Sequence, residues 1–157
     1  MLVESEPRQG VQNTRRLFII LNFQFSIFNI QIVSSYKVKK FPGETVRYVQ
    51  TMDLRDDPEL IHLYRKWHSE EYNWKEIRDG IREVGILEME IYLLGCRLVM
   101  VLEVPADFNW DEAFARLATL PRQAEWEAFV AKFQNCNADA TSDQKWQQME
   151  RIFYLYP

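Results

Sequence analysis

The sequence predicts an α+β domain, and three observations support this prediction. The chain has 157 residues, of which 47% are hydrophobic and 27% charged, a composition that suits one globular domain with a buried core. Residues 46–54 alternate in polarity, and 86–105 holds two further strand-like runs. Residues 58–85 and 109–134 predict helices. With a final strand over 148–157, the order β, α, β, β, α, β is that of the ferredoxin-like, split βαβ fold.

The helical segment after the first strand has clear boundary residues. Asp57 is a suitable N-cap, Pro58 fits the first helical position, and Glu59 favours the positive end of the helix dipole. Gly85 marks the end, where a C-terminal glycine is expected. A break is expected near residues 69–73, so this segment is predicted to form two helices.

The second half of the domain begins with a predicted hairpin. Strands over 86–94 and 97–105 flank a turn at Gly95. Two helices follow within 109–134, and Pro121 separates them because proline ends a helix. Helices after a hairpin complete the second half of the split βαβ pattern.

A single sheet of this fold leaves one face open unless something covers it. Two copies that pack sheet to sheet would form a dimeric α+β barrel, and we expect a homodimer because most soluble oligomers are symmetric dimers. The terminal segment 148–157 contains Phe153, Tyr154 and Tyr156, which would form an unusual exposed surface. We expect this segment to pair with the sheet and to contribute to a pocket. The alternative is that it reaches across the dimer to close that pocket.

Residues 1–45 differ in character from the domain predicted over 46–157. They hold an arginine pair, an apolar run broken by polar residues and a lysine-rich end. A membrane helix needs about 20 mostly apolar residues, so no membrane span is expected, although an added edge strand is possible. A third hypothesis is a mis-assigned start, because in a bacterial gene residues 43–46 could be encoded as a ribosome-binding sequence followed by a GTG start at Val46. Without a convincing export signal, we expect a cytoplasmic protein.

The composition argues against several functional classes. The net charge of -4 argues against nucleic acid as a partner, since a basic face would be expected. Cys96 and Cys136 form no paired motif, which favours two inert thiols in a reduced compartment. Cysteine and histidine show no metal-ligand spacing, so we expect no metal site.

The segment "HLYRKWHSEEYNWKEI", residues 62–77, concentrates two histidines, two tyrosines, two tryptophans and three glutamates. Tyr64 and His68 are four residues apart and therefore share one face of a helix. Histidine suits general acid–base catalysis because its ordinary pKa of about 6.5 lies close to neutral pH. The alternative for His68 is an ordinary surface or core histidine, and His62 lies off this face.

Within this segment, "YRKWHSEEYNWKEI" resembles the Y-x-x-x-H…W-x-E element of the L-rhamnose mutarotase family. The runs "EIYLLGCRLVMVLEV", "QAEWEAF" and "IFYL" follow in the same order and with similar spacing. The resemblance covers roughly residues 46–157. It implies a dimeric ferredoxin-like barrel that interconverts the α and β anomers of L-rhamnose without cofactor or metal.

The resemblance also implies site residues. The proton-donor histidine of the family falls on His68, and its sugar-contacting tyrosine falls on Tyr64. The late tryptophan pair of the family falls on Glu125 and Trp126, so only the second position is a tryptophan here. A tyrosine on the second strand falls on Met89.

These departures leave the identity of the sugar open, with L-fucose or another 6-deoxy sugar as the alternative to L-rhamnose. Two extra residues also lie between His68 and Trp74. Trp74 and Trp126 could stack on the sugar or fill the core, and Met89 could pack in the core instead of contacting the sugar. Glu76 could orient a hydroxyl or His68, or could be an exposed helix residue. The competing functions are a non-catalytic sugar-binding module and a cofactor-free monooxygenase, because the same fold serves several activities.

Overall fold

A computed structural model of the protein describes residues 35–136 and 145–156. The chain divides into two compact units, Met1–Tyr36 and Lys37–Pro157, and nearly all of the described residues belong to the second. The edge strand that is possible in the N-terminal extension lies outside the described residues.

The second unit contains four strands and four helices among its described residues. The elements are β1 (Thr45–Asp53), α1 (Pro58–His68), α2 (Lys75–Glu83), β2 (Glu88–Leu94), β3 (Arg97–Pro105), α3 (Trp110–Leu117), α4 (Gln123–Val130) and β4 (Gln147–Gln148). All strand pairs among them are antiparallel, in the spatial order β2-β3-β1-β4. This order and the alternation of strands and helices confirm the predicted split βαβ arrangement.

The boundaries of the first two helices follow from local chemistry. The side chain of Asp57 accepts hydrogen bonds from the backbone N–H groups of Glu59 at 2.8 Å and Leu60 at 3.1 Å, as expected of an N-cap. The predicted break is also confirmed, since α1 ends at His68 and α2 begins at Lys75. Gly85 follows α2 with a φ of 92°, a left-handed conformation that glycine adopts without strain.

The two faces of the sheet have different surroundings. Successive side chains of a strand point to opposite faces. Leu98, Met100, Leu102 and Val104 of β3 are buried on the face that packs in the hydrophobic core. The alternate residues of the strand, such as Val101, lie on the other face and are only half-buried. The described residues therefore cover one face of the sheet more completely than the other.

The prediction of a terminal aromatic strand over 148–157 is wrong. The strand β4 comprises only two residues, and the N–H of Met149 donates a hydrogen bond of 2.8 Å to the carbonyl of Val49 next to it. The large apolar side chains of residues 152–156 are between 55% and 90% exposed. A run of consecutive apolar residues does not alternate, so pairing at the sheet edge would leave about half of them facing away from the core.

None of the helices in the described ranges is long and apolar enough to cross a membrane.

Candidate active site

A cavity of about 500 Å³ lies between the helices and the helix-facing side of the sheet. Its wall combines apolar and polar side chains, the usual composition of a small-molecule site. Residues from α1, α4 and the strands meet there, among them Gln50, Tyr64, His68, Met89, Trp126 and Glu127.

Tyr64 and His68 form the catalytic candidate on α1. Their rings stack with centroids 3.9 Å apart and planes at 26°, as the spacing of four residues allows. The Nδ1 atom of His68 lies 2.8 Å from the carbonyl oxygen of Tyr64. A carbonyl oxygen only accepts hydrogen bonds, so Nδ1 must carry the proton in this contact. In the neutral ring Nε2 is then an unprotonated acceptor.

The surroundings of this pair shift both side chains towards their uncharged forms. Burial lowers the pKa of His68 below its ordinary value of 6.5, and the hydrogen bond to Tyr64 opposes this change only in part. Burial also raises the pKa of the Tyr64 phenol, and the negative charge of Glu127 adds to the rise. At neutral pH the pair therefore presents an imidazole base beside a phenol that keeps its proton.

Trp126 and Met89 belong to the apolar part of the wall. Trp126 is buried, and its ring centroid lies 5.2 Å from that of His68. Met89 lines the cavity, whereas Tyr92, three residues further along β2, points to the opposite face and donates a hydrogen bond of 2.9 Å to Glu90. The alternation of the strand predicts this difference.

The other predicted sugar contacts, Trp74, Glu76 and Glu125, come together outside the cavity lining around Arg122. The guanidinium of Arg122 lies 3.9 Å from the centroid of the Trp74 ring. It also forms ion pairs of 3.7 Å with Glu76 and 3.1 Å with Glu125. We call these four residues the Arg122 cluster. Trp74 packs edge-on against Trp126, with centroids 5.3 Å apart, and so supports the wall from behind.

Asn73 is a cavity residue that the sequence analysis missed. Its Oδ1 atom is buried and has no hydrogen-bond partner in the described part of the chain. A buried acceptor without a partner is unfavourable, so this atom is suited to a hydrogen bond from a ligand or from water. Asn73 lies directly before Trp74, in the stretch that has two more residues than the family pattern, and this position could have identified it as a site candidate.

Glu127 and its partners were also missed. The Nε2 atom of Gln123 donates a hydrogen bond of 3.1 Å to Oε1 of Glu127, and Nζ of Lys145 lies 3.4 Å from Oε2. The spacing of four residues between Gln123 and Glu127 and the position directly after Trp126 could have drawn attention to this carboxylate. The approach of Lys145 is a tertiary contact that no local pattern indicates.

The described residues contain no group of three or more histidine, cysteine, aspartate or glutamate side chains that could hold a metal ion. Cys96 and Cys136 are both free thiols.

Comparison with known proteins adds independent evidence to this geometry. The model of the L-rhamnose mutarotase family matches residues 47–155. The chain belongs to this family. The match begins one residue after Val46 and confirms the resemblance that the sequence motifs indicate. Members of the L-rhamnose mutarotase family are isomerases that act on sugars, so a monosaccharide is the class of substrate.

Similar proteins include two curated relatives. An L-fucose mutarotase of Xanthomonas campestris is 37% identical over 109 residues, which cover 69% of this chain and 87% of that protein. A UPF0734 protein of Dictyostelium discoideum is 36% identical over 112 residues, which cover 69% of this chain and 88% of that protein.

A solved structure supports the fold. The crystal structure of an L-rhamnose mutarotase from Formosa agariphila superposes with a TM-score of 0.52 at 19% identity, covering 70% of this chain and 98% of that one. At this level of identity the similarity concerns the fold alone. It agrees with the ferredoxin-like arrangement described above.

Proposed function

We propose that this protein interconverts the α and β anomers of a 6-deoxy sugar, with L-rhamnose and L-fucose as the candidate substrates, and that His68 moves the proton. The observation that carries the proposal is the state of His68. Its Nδ1 atom donates to the Tyr64 carbonyl, and its Nε2 atom has no partner among the described residues although the side chain lines the cavity. An unprotonated ring nitrogen in a cavity of about 500 Å³, which is large enough to hold a monosaccharide, is the general base that mutarotation needs.

The reaction requires one proton to move between two oxygens of the sugar. The proton leaves the anomeric hydroxyl, the bond between C1 and the ring oxygen breaks, an aldehyde forms at C1, and the ring oxygen gains a proton. Rotation about the C1–C2 bond and reclosure then give the other anomer. Both oxygens are bonded to C1, so Nε2 of His68 can accept the proton from one and deliver it to the other. His68 is thus first an acceptor and then the proton donor that the resemblance implies.

The neighbouring side chains fit supporting roles. Tyr64 keeps its phenolic proton and is suited to donate a hydrogen bond to a sugar oxygen. The buried ring of Trp126 offers an apolar surface for the sugar ring, and Met89 offers an apolar contact for a 6-deoxy methyl group. Asn73 supplies an acceptor for a hydroxyl. Trp74 acts through Trp126 and does not itself touch the sugar in this proposal.

The face of the sheet away from the helices supports a homodimer as part of the proposal. Val49, Val99 and Val101 lie on this face and are only half-buried in the single chain. Packing of two such faces would remove apolar surface from water. Sedimentation velocity should give a dimer for the wild type and a monomer for Val101→Lys. A monomeric wild type would contradict the dimer without affecting the chemistry at His68.

We also propose the cytoplasm as the site of action. The two free thiols, Cys96 and Cys136, are typical of a reducing compartment. Fractionation of the native host with antibody detection would test this location, and recovery in an extracytoplasmic fraction would contradict it.

Proton NMR saturation transfer between the anomeric signals tests the reaction itself. We expect the wild type to accelerate exchange of L-rhamnose, of L-fucose or of both, and His68→Ala to abolish the acceleration. His62→Ala is a matched control, because His62 is an exposed histidine on the same helix. Absence of acceleration with either sugar would overturn the proposed function. Equal activity of His68→Ala and wild type would overturn the role of His68.

A further inference from the structure

Glu127 is a cavity residue whose place on α4 differs from that of its neighbour Glu125. Glu125 points outward, with 64% of its side chain exposed, and pairs with Arg122. Glu127 borders the cavity with 33% of its side chain exposed. The resemblance to the family assigns a role to the position of Glu125 and none to that of Glu127.

Two donors hold the carboxylate of Glu127 in place. Gln123 binds Oε1 at 3.1 Å, and Lys145 approaches Oε2 at 3.4 Å. The side chain of Lys145 is only 4% exposed, so its ammonium group depends on Glu127 as the described counterion. Each carboxylate oxygen has two lone pairs, and each uses one for these contacts. One acceptor position remains on each oxygen.

We propose that Glu127 is a substrate-binding residue whose two remaining acceptor positions bind hydroxyl groups on two adjacent carbons of the sugar ring. This inference rests on the proposed function, because it assumes that the cavity takes a sugar. The two oxygens belong to one planar group and match a pair of neighbouring O–H donors. Lys145 and Gln123 fix the carboxylate before the sugar arrives, which reduces the entropy lost on binding.

The position of Glu127 relative to Tyr64 and His68 supports this assignment. Both Glu127 and Tyr64 line the cavity, and the charge of Glu127 adds to the rise in the pKa of the Tyr64 phenol. His68 serves C1 and the ring oxygen in the proposed reaction. The carboxylate would then hold a pair of hydroxyls further round the ring, at C2 and C3 or at C3 and C4. It would orient the sugar towards His68 without taking part in proton transfer.

The alternative role for Glu127 is that of a counterion for Lys145 alone. A counterion would affect folding, and its loss would weaken the binding of every ligand of the cavity to a similar extent. A hydroxyl-binding residue would affect only ligands that carry the hydroxyls it contacts. The two roles therefore differ in their dependence on the ligand and not in the size of the effect.

The experiment compares Glu127→Gln with wild type on the better substrate and on its 2-deoxy, 3-deoxy and 4-deoxy analogues. Binding is measured by tryptophan fluorescence, and KM and kcat by saturation transfer. We expect about ten- to hundredfold weaker binding of the full sugar, the range for hydrogen bonds to a charged group, with a smaller change in kcat. The loss should shrink for two analogues whose missing hydroxyls lie on adjacent carbons. Glu112→Gln, the same change at an exposed glutamate of α3 that does not line the cavity, should behave as wild type.

Any other pattern overturns the inference, whether the loss is equal for all four ligands, shrinks for only one analogue, or is absent. If Glu127→Gln does not fold, the double variant Glu127→Gln/Lys145→Met removes the unpaired ammonium and is compared in the same way. Binding that depends on Glu127 without accelerated exchange would contradict the proposed function and support this inference. Accelerated exchange that is unaffected by Glu127→Gln would support the proposed function and contradict this inference.

Discussion

Trp126 separates two groups of similar residues with different surroundings. On the cavity side, Tyr64 is buried, His68 and Glu127 are half-buried, and the counterion Lys145 has a side chain that is only 4% exposed. On the other side, the Arg122 cluster also combines a tryptophan, carboxylates and a cation. There the Arg122 side chain is 40% exposed, and those of its two glutamates are 45% and 64% exposed.

Burial makes the difference between these two groups. Exposed ion pairs such as those of Arg122 contribute about 0–1 kcal/mol each, because water screens the charges. In the cavity the same types of group lose water, so pKa values shift and unpaired polar atoms become costly. The comparison teaches that residue type alone does not locate a site. The following predictions test it in order of expected effect.

The largest effect is expected for His68→Gln. Glutamine can still donate to the Tyr64 carbonyl but has no basic nitrogen to move a proton. We expect kcat to fall by about 10²–10⁴-fold, the usual contribution of general acid–base catalysis, while the melting temperature changes little. Saturation-transfer kinetics and thermal unfolding measure the two quantities, with His62→Gln as the control. A kcat within a factor of three of wild type would place the proton transfer elsewhere.

A smaller effect is expected for Asn73→Leu, which should weaken sugar binding without lowering the stability of the fold. The change removes an acceptor that lacks a partner in the described structure, so the free energy of unfolding should stay the same or increase. The loss of a hydrogen bond to the sugar should raise KM by about tenfold. Urea unfolding measures the free energy of unfolding, and saturation-transfer kinetics measure KM. Asn135→Leu, on the exposed residue Asn135, should leave KM unchanged, and an unchanged KM in Asn73→Leu would remove Asn73 from the site.

The lowered pKa of His68 predicts a pH dependence of stability. Between its folded-state pKa and 6.5, the unfolded chain binds the proton and the folded chain does not, so the free energy of unfolding decreases as the pH falls through this window. The decrease is at most about 1.4 kcal/mol per pH unit, and above 6.5 the histidine contributes no slope.

Urea unfolding of wild type and His68→Gln between pH 5 and 8 measures this slope. The variant should be flatter below pH 6.5. The carboxyl groups with lowered pKa values, Asp53, Asp79 and Glu103, titrate below this range and should not contribute to the difference. Identical slopes in the two proteins would contradict the buried, neutral state of His68.

The smallest effects are expected in the Arg122 cluster. Glu76→Gln and Glu125→Gln should each change the free energy of unfolding by less than about 1 kcal/mol, and increasing salt should reduce even this change. Both variants should keep the wild-type KM and kcat. A tenfold rise in KM for either one would show that the cluster contacts the sugar, as the resemblance implies for Glu125, and would remove the distinction between the two sides of Trp126.

The predictions made from the sequence succeeded where the structure depends on neighbouring residues. Asp57, Pro58 and Gly85 act on helix ends through contacts within a few residues, so their roles could be recognised directly. The face shared by Tyr64 and His68 follows from helix geometry in the same way. The strand order then followed from the alternation of elements, because few arrangements of a split βαβ unit are available.

The predictions were incomplete or wrong where distant contacts decide the outcome. The terminal segment has strand-forming residues but finds no strand partner beyond Gln148 in the described residues. The family motif places Glu76 and Glu125 at predicted sugar contacts, yet both form ion pairs with Arg122 outside the cavity lining. Strand pairing and ion pairing between distant residues depend on which surfaces the folded chain brings together.

The sequence alone determined the fold class, the family and the pairing of Tyr64 with His68, because periodicity, capping and motif order are local or linear properties. The tertiary structure alone decided which acidic and amide side chains enter the cavity. Lys145 meets Glu127 across 18 residues of chain, and Asn73 lines a cavity whose other walls come from the helices and the sheet. Burial is a property of the packed molecule, and burial converts these ordinary side chains into a candidate sugar site.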